Sequence, residues 1–154
     1  MLKFIRTDSE NTDFLELVNQ LDLDLAVRDG SDRVFYNQFN RLDAIKHVIV
    51  VYDDDITAGC GAIKHFSSDT MEVKRMFTPL RFRSRGIASL VLTELEKWTL
   101  ELGYTKCILE TGKRQPEAIA LYKKNGYKVI PNYGQYIGIE NSVCFLKELD
   151  NSDN

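Results

Sequence analysis

The chain has 154 residues, 44% of them hydrophobic, which suits one compact domain able to bury a core without disulfides or a structural metal. Its 20 basic and 23 acidic side chains give a formal net charge of -3, which excludes a protein that wraps nucleic acid with its whole surface and makes any anion site local. No apolar run approaches bilayer-spanning length, and the opening MLKFIRTD is too short and too charged for a secretory leader, so a cytoplasmic protein without a membrane partner is expected.

In chain order, LKFIRT is a strand candidate, and DFLELVNQLDLDLAV carries a helical stripe of Phe14, Leu15, Leu17, Val18, Leu21, Leu23 and Leu25. A second helical segment is expected near DRVFYNQF. HVIVVYDDDITAGCGAIKHF reads as two strands around an Asp-rich turn at residues 53–55, and TMEVKRMFT as a third, giving an antiparallel meander. From Gly86 the period changes: Ile87, Val91, Leu95, Trp98 and Leu102 recur at helical spacing, with Glu94, Glu96, Lys97 and Glu101 mostly on other faces and Gly103 as the stop. TKCILE returns as a strand. PEAIALYKKNG is a shorter helix with Pro116 in its first turn and Gly126 at its end, and SVCFLKEL is the last strand. The strand, helix, strand order from Met71 to Glu110 needs a crossover, so those two strands should be parallel neighbours in an otherwise antiparallel sheet. The expected class is mixed α/β, one domain over residues 1–149 with a frayed polar tail at 150–154.

The stretch RMFTPLRFRSRGIASLVL places several arginines around a Pro and a Gly where a helix begins. Helix macrodipoles are already positive at that end, so an anion is expected there. The first-turn N–H groups need partners, Gly86 and the small Ala88 allow close approach, and Arg81, Arg83, Arg85 and Ser84 add charge and a hydroxyl. Solvated arginines around a plain turn would look the same. The segment is neither a Walker loop nor a three-glycine dinucleotide fingerprint.

RFRSRGIA resembles the Q/R-x-x-G-x-G/A segment of the GNAT superfamily of acyl-CoA-dependent N-acetyltransferases, with Arg83, Gly86 and Ala88 on the motif positions. EVKRMFT resembles the strand that leads into it, and QPEAIALYKKNGYKVI the later N-x-x-A-x-x-L-Y segment, with Gln115 in place of Asn and Ala118, Leu121, Tyr122, Gly126 and Tyr127 matching. The resemblance covers roughly the second half of the chain. It implies a GNAT-like fold, a mostly antiparallel central sheet whose parallel pair splays around the cofactor, flanked by helices. It further implies acetyl-CoA as acyl donor, with Met76, Phe77 and Thr78 offering main-chain groups to the pantetheine arm and Arg83, Ser84, Arg85, Gly86, Ile87 and Ala88 cradling the pyrophosphate. Gln115 would take the amide contacts usual for Asn.

The implied reaction is direct acetyl transfer to an amine, in which Glu72 is the candidate base, the Phe77 amide could polarise the thioester carbonyl, and Tyr122 could protonate the departing sulfur. Glu72 could equally be a solvated or ion-paired strand residue beside Lys74, and Tyr122 part of a core stripe. Tyr133 and Tyr136 are candidates for the acceptor wall or for turn packing. Asp22, Asp24, Asp29 and Asp32 could attract a cationic amine or form a solvated face. His47 and His65 lack a partnered pattern and read as structural. Cys60, Cys107 and Cys144 lie far apart among apolar or small neighbours and read as buried thiols of a reducing compartment, so no metal is expected. The acceptor is expected to be a small-molecule amine, and a homodimer is compatible with the family. Two rivals remain at this point: a CoA-binding sensor without catalysis, and a nucleic-acid module in which Lys74, Arg75, Arg81, Arg83 and Arg85 pair phosphates while Phe77 and Phe82 stack bases.

Overall fold

The computed structural model describes residues 1–29 and 45–150. Strand β1 (Leu2–Thr7) leads to helix α1 (Thr12–Asp29), then β2 (His47–Asp53), β3 (Ile56–Ser67) and β4 (Thr70–Phe77). Helix α2 (Ile87–Glu101), β5 (Lys106–Gly112), helix α3 (Pro116–Lys124), β6 (Lys128–Ile130) and β7 (Ser142–Glu148) complete the order. The strands form one sheet in the order β1-β2-β3-β4-β5-β7-β6. This is the mixed α/β class expected, and the crossover through α2 makes β4 and β5 parallel, with Thr70 opposite Lys106, Met71 opposite Cys107 and Glu72 opposite Ile108. That register ends at Glu72, whereas β4 runs on to Phe77. The helical segment expected near DRVFYNQF lies outside the described residues.

Two compact units divide the chain: Met1–Lys64 with Val73–Leu95, and His65–Glu72 with Glu96–Asn154. In the first, Asn11 caps α1 by accepting the Phe14 N–H at 2.9 Å. Phe14, Leu17, Val18 and Leu21 then pack with Val48, Val50, Cys60, Ala62 and Phe77 in one core. The stripe is narrower than the sequence suggested, because Leu15 and Leu23 face solvent. Gly61 of β3 lies against Val91 and Leu95 of α2 and Met76 of β4; a Cβ there would meet all three side chains at 2.6 to 2.9 Å and have to push them aside.

In the second unit β5 pairs with β7 along its whole length, and β7 pairs with β6. The three-residue β6 was not anticipated. The Tyr122 ring of α3 meets those of Tyr127 and Phe145, each at 5.8 Å. Helix α3 starts with Pro116 and ends before Gly126, whose φ of 89° takes the chain through the left-handed region. Glu96 is not a solvent-facing residue: it accepts hydrogen bonds from Tyr127 Oη and Lys147 Nζ, both at 2.9 Å.

Candidate active site

In the first unit, β4 passes through Pro79 and a short 3-10 turn at Leu80–Phe82 before α2 begins. Ser84 and Gly86 have φ of 65° and 77°, and the second of these is the reason glycine stands at the helix start. Leu90 N–H bonds to Gly86 O at 3.1 Å, which leaves the N–H groups of Ile87 and Ala88 without helix partners. No acidic side chain lies in the first turn of α2 to offset its dipole. A Cβ at Gly86 would meet nothing within 4 Å, so the backbone there faces open space.

The arginines divide their work. Arg83 donates Nε to Thr78 O at 2.8 Å, so its guanidinium braces the turn and engages a carbonyl expected to serve the pantetheine arm. Arg81 and Arg85 lie over the ring of Phe82, at 4.9 and 5.4 Å from its centroid, and Arg85 also reaches Asp53 at 3.7 Å. Phe82 is only 3% exposed and Phe77 9%, so neither presents a free face for stacking a base. Met76 is half-buried against Gly61. The Phe77 amide lies against the Cys60 thiol, which burial pushes up to about 12.

Arg75, which sequence reasoning treated only as part of a basic patch, is an unusual strand residue. Its φ is 58°, its carbonyl accepts from Cys60 Sγ at 3.3 Å, and its Nη1 bonds Asp22 Oδ1 of α1 at 2.9 Å. Its Nε is buried and has no hydrogen-bond partner among the described residues. Asp22 and Asp24 are therefore occupied by Arg75 and Arg28 rather than forming an open acidic face. The Asp29 side chain and Asp32 lie outside the described residues.

In the second unit Glu72 is almost wholly buried and accepts a hydrogen bond from Tyr133 Oη at 2.5 Å. This contact spans 61 positions, and no local pattern announces it. Burial and the charge of Glu72 raise the Tyr133 phenol far above its ordinary value. Tyr136, which the sequence offered for the acceptor wall, is 3% exposed and packs edge-on against Tyr133 at 5.6 Å. Its phenol is likewise raised, by burial and then by Glu110 and Glu72. Glu110 is a carboxylate the sequence reading passed over; it accepts from Ser142 Oγ at 2.7 Å.

Tyr122 is 6% exposed, and burial followed by the charge of Glu110 lifts its phenol well above the usual range. A protonated phenol on a ring held by packing is able to donate to an incoming group. Gln115 precedes α3 without capping it through its side chain, so its amide is not spent on its own helix. His65 Nδ1 lies 2.8 Å from Tyr104 Oη, and burial lowers His47. Cys60, Cys107 and Cys144 are free and buried.

Residues 10–127 match the Acetyltransferase (GNAT) family. The chain is 31% identical over 100 residues to the uncharacterized N-acetyltransferase YsnE of Bacillus subtilis (strain 168), covering 64% of this chain and 66% of that one. It spans 40% to 54% of the length of other curated relatives that it matches. The fold is similar to that of the putative acyl-CoA N-acyltransferase from Klebsiella pneumoniae subsp. pneumoniae MGH 78578, with a TM-score of 0.81 at 24% identity over 97% of this chain and 99% of that one. A GNAT family acetyltransferase from Elizabethkingia anophelis with acetyl-CoA bound gives a TM-score of 0.70 at 17% identity, over 96% and 98% of the two chains. No helix among the described residues is long and apolar enough to cross a membrane. With the family match covering most of the chain and the fold in agreement, this protein belongs to the acetyltransferase (GNAT) family.

Proposed function

We propose that the chain transfers an acetyl group from acetyl-CoA to a primary amine of a small molecule, by direct attack in a ternary complex. The observation that carries this reading is the turn at residues 83–88. It combines an uncompensated helix start, open space at Gly86 and adjoining arginines, a set of features suited to a pyrophosphate. Arg85 and the first-turn N–H groups would hold that anion while Arg83 keeps the turn in shape.

Acetyl-CoA supplies an activated thioester, and the protein's task is alignment and proton handling. Well-aligned reactants can reach effective molarities of about 10⁵–10⁸ M. An alkylamine reaches neutral solution as an ammonium, since it loses its proton only near about pH 10. In the proposed mechanism the Glu72 carboxylate takes that proton and later releases it to water, the freed nitrogen pair attacks the carbonyl carbon, the Tyr122 hydroxyl protonates the sulfur as the C–S bond breaks, and the second proton lost by the nitrogen returns to the Tyr122 phenolate. The burial of Glu72 favours a slender aliphatic amine that can carry its nitrogen to a largely enclosed carboxylate.

Thermal unfolding with and without acetyl-CoA tests the donor site, with ATP and a short RNA as controls. At about 100 times the dissociation constant the donor should add roughly 2.7 kcal/mol, or on the order of 5–10 °C. A specific shift leads to an amine screen for thiol release. No shift with acetyl-CoA, together with one from RNA, would replace this reading with nucleic-acid binding.

A further inference from the structure

We propose that Tyr133 is a positioning residue for the Glu72 base, fixing one carboxylate oxygen so that the other is presented to the acceptor's ammonium. The inference rests on the reading of Glu72 as the base, and it adds a second residue whose side chain decides how that base is aimed. The geometry is specific. Tyr133 Oη donates to Glu72 Oε2 at 2.5 Å, and the ring is held edge-on by Phe66 at 5.1 Å and by Tyr136 at 5.6 Å. The loop carrying it is closed by Asn132, whose Nδ2 donates to the carbonyls of Tyr136 and Ile139, each at 3.1 Å. A ring clamped in this way cannot swing off the carboxylate without dismantling the turn at Gly134–Tyr136.

The direction of the bond is also settled. A carboxylate accepts and cannot donate, and the Tyr133 phenol is raised far above its ordinary value, so it stays protonated across the working range. The phenols and the thiol around Glu72 keep their own protons near neutrality. Tyr136 is raised as well, and the Cys144 thiol is pushed up to about 11, first by burial. Glu110 acts on Tyr136 and Cys144 too, and it is engaged by Ser142. Tyr133 therefore serves as a permanent donor that holds one oxygen of its partner's carboxylate in place.

The test is the pH dependence of kcat/KM for an amine acceptor, measured in the intact protein and three variants. Tyr133→Phe keeps the ring and removes the donor. It should lower kcat about tenfold, move the acid limb of the profile to higher pH, and leave the KM for acetyl-CoA unchanged. A ring-fluorinated tyrosine at position 133 is a stronger donor of the same shape, and it should move that limb to lower pH. A residue that merely packs would not produce opposite displacements, and the fluorinated variant keeps the test open if Tyr133→Phe folds poorly. Glu72→Gln should abolish the acid limb. If Glu72→Gln abolishes the limb but neither Tyr133 variant moves it, the positioning role is overturned and the base stands. If Glu72→Gln leaves rate and limb intact, the base reading itself falls, and this inference with it.

Discussion

Arg75 and Asp22 hold one another between β4 and α1 at 2.9 Å, with the arginine side chain 5% exposed and the aspartate 35%. The pair fixes a strand residue whose backbone already sits in the left-handed region. Removing the carboxylate would leave a buried guanidinium uncompensated, a loss that costs about 3–5 kcal/mol in enclosed pairs. Because Asp22 is partly exposed, Asp22→Ala should cost about 3 kcal/mol, at the low end of that range. Denaturant unfolding measures this directly; a loss under about 0.5 kcal/mol would mean that water replaces Asp22 without penalty.

Tyr122→Phe should lower turnover by at least about tenfold, in line with removal of an acid catalyst. Acetyl-CoA affinity should change little, because the ring remains packed on Tyr127 and Phe145. Thiol-release kinetics and calorimetric titration separate the two. An unaltered rate would confine Tyr122 to the core.

Gly86→Val should weaken acetyl-CoA binding by about tenfold or more, by filling the space over the helix start and twisting a φ of 77° that valine tolerates badly. Affinity has to be read beside unfolding midpoints, since the backbone strain acts on both. Unchanged affinity in a folded variant would place the pyrophosphate elsewhere.

Alkaline pH should destabilise the fold through its thiols. Burial raises Cys60 to about 12 and Cys107 to about 11, from an ordinary 9.0. Above 9.0 the unfolded chain has released protons that the folded chain retains, so stability falls as pH rises toward those values and is fully present below 9.0. The midpoint of denaturant unfolding should decline from pH 9 upward, and Cys60→Ala should flatten the decline. At pH 8 the native thiols should react slowly with a thiol reagent and quickly once unfolded.

What the sequence disclosed was what its local periods encode. Helix α2 and the turn before it were legible because Ile87, Val91 and Leu95 repeat at helical spacing directly after a glycine, and the parallel pairing of β4 with β5 followed from the crossover. The bond from Tyr133 to Glu72 was hidden because neither residue carries a local mark of a partner so distant in the chain. Arg75 in the left-handed region was hidden too, since that conformation is normally announced by glycine or asparagine. Strand β6 is three residues long, too short for alternation to register.

Gly61 makes room for its neighbours. With no Cβ on β3 at that point, the side chains of Val91 and Leu95 from α2 and of Met76 from β4 settle directly onto the strand's backbone. A larger residue would have to push all three aside at once, so the way α2 packs on the sheet depends on a methyl group that is missing.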